Sequence, residues 1–72
     1  MAQPRGSNIE SLRVQLGVKR SELAQRLGGS YAQIYNIERG YTSASIEFLY
    51  RLAAALNTDI DQVMVRTDKG AA

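Results

Sequence analysis

The sequence predicts an all-α fold of five short helices, and three observations carry that reading. Apolar residues recur at helical spacing in successive segments, glycine or asparagine stands where several of those segments stop, and no stretch shows a sustained period of two between hairpin turns. The chain has 72 residues, which fits one domain near the lower limit of what folds without a staple.

Taken in chain order, Ser7 with Glu10 three residues on reads as a capping box, and Ile9, Leu12 and Leu16 share one face of a first helix over about 8–16 that ends at Gly17. A second helix, about 20–27, sets Leu23, Ala24 and Leu27 on one stripe, with Gly28 suited to the left-handed position past its end. Two turns are unstable alone in water, so this helix must be held by its neighbours. Ser30 is a natural N-cap for a third helix, about 30–39, with Ile34 and Ile37 inward and a stop at Gly40. Its other positions, Tyr31, Ala32, Gln33, Tyr35 and Asn36, form an outward face. Ser45 caps a fourth helix whose stripe is Ile46, Leu49, Leu52, Ala53 and Leu56, and Asn57 ends it. Asp59 and Gln62 open a short fifth helix with Ile60, Val63 and Met64 apolar. The expected organisation is a flexible arm over 1–7, one domain over 8–64 and a flexible tail over 65–72.

Composition narrows the function. There is neither cysteine nor histidine, which removes the thiolate, the commonest general base and the commonest metal ligand, and points away from an enzyme, a metal site or a cofactor. Hydrophobic residues make up 44% and charged residues 22%, a globular balance. No apolar run approaches the roughly 18 residues of a membrane span, and MAQPRGSN lacks the apolar segment of a signal peptide, so the expected location is the cytoplasm. The net charge of +2 is unevenly spread: residues 1–45 hold six basic against three acidic side chains, and residues 46–72 three against four. An anionic partner for the first part and an ordinary solvated surface both fit that asymmetry.

The second and third helices, joined by a short glycine-containing turn, have the general form of a helix-turn-helix. Ala24 is small where the helices cross closest, Gly28 makes the turn, and Ile34 and Ile37 fill the angle. The run LRVQLGVKRSELAQRLGGSYAQIYNIERG, followed by SIEFLYRLAAALNTDIDQVM, resembles the Cro and phage-repressor type of helix-turn-helix domain, often called XRE-like, over residues 9–64. The resemblance implies a five-helix, lambda-repressor-like domain whose third helix enters the major groove of DNA.

Carried over by position, the resemblance gives Arg20, Tyr31, Ala32, Gln33 and Asn36 as base contacts and Lys19, Ser30, Tyr35, Arg39, Tyr41 and Ser43 as phosphate contacts. The chemistry agrees: Asn and Gln present a donor and an acceptor that match adenine, and the Ala32 methyl suits that of thymine. For Arg20, guanine and phosphate both remain open. Arg13 and Glu38 occupy places that imply a structural ion pair between the first and third helices, with Arg13 also able to touch a phosphate. Lys19 and Arg20 depart from the Ser or Thr and the Gln common at the start of the second helix; two cations there fit a DNA phosphate, or simply point into water. Gly29 is a second departure, replacing a branched apolar residue and loosening the turn. Tyr31 is read as a DNA contact, whereas Tyr35 is equally a half-buried packing residue. Phe48, Tyr50, Val63, Met64 and Val65 form either extra core or a dimer patch.

The resulting expectation is a sequence-specific DNA-binding transcriptional regulator of repressor type. It binds paired half-sites as a homodimer, is open to a regulatory protein partner, and lies with the nucleoid through its DNA. The alternative is a protein-interaction module, an antitoxin or adaptor on the same fold.

Overall fold

The computed structural model describes residues 2–65, with four α-helices and one 3-10 turn: α1 (Gly6–Gln15), α2 (Arg20–Leu27), α3 (Tyr31–Glu38), α4 (Ile46–Ala55) and the turn Ile60–Gln62. All four helices stop in the same way. The residues past their ends, Gly17, Gly28, Gly40 and Asn57, have φ of 70°, 71°, 78° and 57°. In each case that residue's amide reaches back three residues and the next amide reaches back five: Val18 to Arg13, Gly29 to Ala24, Tyr41 to Asn36 and Thr58 to Ala53. This is the Schellman arrangement, which satisfies carbonyls a helix end leaves without partners. The starts differ more. Ser30 and Ser45 accept amide hydrogen bonds from Gln33 and Phe48, at 3.1 and 3.0 Å, while Arg5 and Lys19 give no side-chain cap.

The core is a single cluster in which Ile9, Leu23, Ile34, Ile37, Leu49, Leu52 and Val63 are all but completely removed from water. Each helix contributes one stripe to it, and α2 packs on both α3 and α4. Arg51 on α4 adds a hydrogen bond of 2.8 Å from Nη2 to the Leu27 carbonyl, so a cation meets the negative end of α2.

Several expectations change here. The expected capping box at Ser7 and Glu10 is absent: α1 begins at Gly6, and Glu10 instead accepts from Arg20 of α2 at 3.3 Å. Leu16 is 49% exposed, because the buried face of α1 runs through Ile9 and Arg13, not Leu16. Ile46 is likewise half exposed at the start of α4. The fifth helix is a single 3-10 turn, since the chain beyond it is drawn into extended pairing: Val65 N–H donates to Gln3 at 2.8 Å and Met64 bridges Pro4.

That pairing also ties down the expected arm. Ala2 exchanges two backbone hydrogen bonds with Ala44, and Arg5 N–H donates to Val63 at 2.8 Å. The Asn8 side chain donates to the Gln62 carbonyl at 2.5 Å. Residues 2–5 thus clasp both the loop after α3 and the segment after the 3-10 turn. Of the expected tail, 66–72 lies outside the described residues. Val63 belongs to the core, and Phe48 and Met64 pack against it half-buried, which leaves only Tyr50 and Val65 of the expected dimer patch exposed. None of the described helices is long and apolar enough to cross a membrane.

Candidate nucleic-acid interface

The α2–α3 corner is built from small and branched side chains. Leu23, Ala24 and Leu27 meet Ile34 and Ile37 in the core, and the tight turn Gly28–Ser30 reverses the chain between them. With Ile34 and Ile37 inward, helical periodicity leaves Tyr31, Ala32 and Gln33 exposed and Asn36 half-exposed on the opposite side. Gly29 shapes this face as well. A Cβ there would collide with the Gln33 side-chain oxygen, so the missing side chain makes room for the Gln33 amide over the turn. On the far side of Gln33 a shallow recess lies between α3, the loop 41–45 and Phe48.

Behind that face lies an ion-pair network joining three helices. Glu38, whose side chain is fully buried, receives Arg13 Nε on Oε2 and Arg20 Nε on Oε1, each at 2.7 Å. Arg13 also donates to the Val18 carbonyl at 2.8 Å, which locks α1 to the start of the α2 connection. Arg20 continues outward: Nη2 donates to Glu10 Oε2 at 3.3 Å and Nη1 to the Tyr31 hydroxyl at 3.3 Å. The hydrogen bond to Glu38, and after it that to Tyr31, pushes the Arg20 guanidinium still further above its ordinary high pKa. It is permanently charged. Its plane also sits by the rings of Tyr35 and Tyr31, 5.2 and 6.0 Å from their centroids.

The tyrosines make a row along the same edge. Tyr31 and Tyr35 stack at 6.4 Å with an 11° tilt, and Tyr41 meets Tyr35 edge-on at 6.3 Å. Arg39 lies 5.7 Å from the Tyr35 ring on the exposed flank. Tyr35 is half-buried within this row, whereas Lys19, Ser30, Arg39, Tyr41 and Ser43 are exposed around it. The Ser30 oxygen already serves as the α3 cap.

Most residues singled out from the sequence therefore gather on one side of α3, and Arg13 and Glu38 lie together beneath it. Arg20 points back into the protein, with side-chain exposure of 20% and three donors engaged by Glu38, Tyr31 and Glu10. The sequence reading missed Glu10 as its partner, and no local spacing signals a contact between residues ten apart on different helices.

Comparison with known proteins gives one consistent answer. A helix-turn-helix family model, HTH_3, matches residues 9–63. The chain is 33% identical over 64 residues to an uncharacterised HTH-type transcriptional regulator, y4dJ, of Sinorhizobium fredii, covering 89% of this chain and 83% of that protein. Among solved structures, SinR, the master regulator for biofilm formation, in complex with DNA, superposes with a TM-score of 0.72 at 33% identity, over 78% of this chain and 90% of that one. The P22 c2 repressor bound to a synthetic operator superposes at 0.74 with 30% identity, over 78% and 85%. The matched residues take in the glycine turn, the serine-capped third helix and the packed α2–α3 corner, and this chain belongs to the HTH_3 family of helix-turn-helix proteins.

Proposed function

We propose that this protein is a sequence-specific DNA-binding transcriptional regulator, of repressor type, that lays α3 in the major groove. The observation that carries the reading is the division of the surface. A neutral, hydrogen-bonding face of Tyr31, Ala32, Gln33 and Asn36 is exposed, and the side chains of Lys19 and Arg39, which form no ion pair among the described residues, flank it. Such a face reads base edges, while the flanking cations and hydroxyls of Lys19, Ser30, Tyr35, Arg39, Tyr41 and Ser43 hold phosphates and fix the register. Relatives solved on DNA with the same fold support it.

One such domain covers little DNA, so two copies on half-sites about one helical turn apart complete the site. Ile46 and Tyr50, one turn apart on α4 and both more than half exposed, are apolar surface available for that association. Selection of bound sites from random duplex DNA tests the whole reading. Enrichment of a motif with paired half-sites is expected, and no enrichment at moderate salt overturns it. Within the selected site, Asn36→Ala should lose discrimination at one position by about 1–3 kcal/mol. Lys19→Ala should weaken every sequence alike and reduce the slope of log affinity against log salt by about 1.

A further inference from the structure

We propose that Arg20 is a specificity-determining positioning residue, which sets the sequence preference of α3 by holding Tyr31 in place. This rests on the DNA-reading function of the α3 face proposed above. The Tyr31 ring is half exposed at the first position of α3. An exposed tyrosine there has two soft torsions to restrain. Its hydroxyl nevertheless accepts from Arg20 Nη1 at 3.3 Å, and its ring stacks on Tyr35, which lies against the same guanidinium. Arg20 in turn cannot drift, because Nε is bound to buried Glu38 at 2.7 Å and Nη2 to Glu10. The guanidinium plane transfers the rigidity of the buried carboxylate to a side chain at the surface. Lysine could not do this: a point charge on a flexible stem lacks the planar fork that bonds Glu38, Glu10 and Tyr31 in fixed directions.

This role differs from a phosphate contact by Arg20 itself in what it does to sequence preference. A phosphate contact would contribute equally to all sequences, whereas a fixed Tyr31 biases the site toward the base pair that its ring and hydroxyl meet. The test is a base-by-base competition profile on the selected operator for the wild type, Arg20→Lys, Arg20→Gln, Tyr31→Phe and the Arg20→Gln/Tyr31→Phe double variant, with thermal stability measured in parallel. Arg13 still neutralises Glu38 in every variant, and Tyr31→Phe removes only an exposed hydroxyl.

The expected result is a loss of preference of at least about fivefold, within the range of a base contact, at the same one or two base pairs in Arg20→Gln and Tyr31→Phe. Arg20→Lys should not rescue it, and the double variant should show no further loss. A uniform fall in affinity with an unchanged profile makes Arg20 a phosphate contact and overturns the proposal. So does a change confined to stability. If the wild type selects no operator, the DNA-reading function fails with it, whereas a clear wild-type motif left intact by these variants sinks the Arg20 role alone.

Discussion

Two glycines that look alike in the sequence are required for opposite reasons. At Gly28 the backbone is left-handed with φ of 71° and nothing lies within 4 Å of where a Cβ would stand, so only conformation excludes a side chain. At Gly6 a Cβ would stand 2.7 Å from the Ile37 carbonyl oxygen and closer to that of Glu38, because α1 begins against the end of α3. Alanine should destabilise at both, by about 1–2 kcal/mol at Gly28 and by about 1–3 kcal/mol at Gly6. Asparagine distinguishes them: urea unfolding should show Gly28→Asn recovering most of the loss and Gly6→Asn recovering none. Glu38 is the other decisive residue. Glu38→Ala strands Arg13, itself nearly buried, and cuts Arg20 loose, so a loss of about 3–5 kcal/mol is expected in the same measurement. A loss below about 1 kcal/mol, the scale of an exposed pair, would contradict the network described here.

Helix ends show what a single sequence reveals and what it hides. The stops of all four helices were legible, since a left-handed glycine or asparagine acts within its own turn, and the serine caps of α3 and α4 were legible for the same reason. The start of α1 was not. Ser7 and Glu10 have the right local spacing, but a tertiary partner, Arg20, takes the glutamate, and α1 begins at Gly6, which packs closely against the end of α3. The fifth helix failed in the same way, overridden by pairing with residues some 60 positions earlier. Ser45→Ala should therefore cost about 1 kcal/mol, while Ser7→Ala stays within about 0.5 kcal/mol. Thermal melts of the two variants check this directly. The site followed the same division, with the outward face of α3 set by periodicity and the capture of Arg20 set by contacts across 10, 11 and 18 residues.

At the scale of the whole molecule, a segment with little secondary structure joins distant parts of the described chain. Residues 2–5 bond to Ala44, Val63 and Val65, so the clasp holds the loop that follows the proposed reading helix. Pro4 is buried within it. Removing residues 1–5 should expose the Val63 end of the core and lower the melting temperature. The drop should be roughly 4–8 °C for each kcal/mol lost in a domain of this size, and an unchanged melt would show that the clasp contributes nothing.

Because Gln3 and Val65 share a backbone hydrogen bond, the described chain is close to a closed circle. Its helices could then be transcribed in a different order without altering which surfaces meet. A permuted gene that begins at α2 or α4, with a short peptide joining Val65 to Ala2, would keep the same contacts among the described residues, and only the entropy of closing its loops would change.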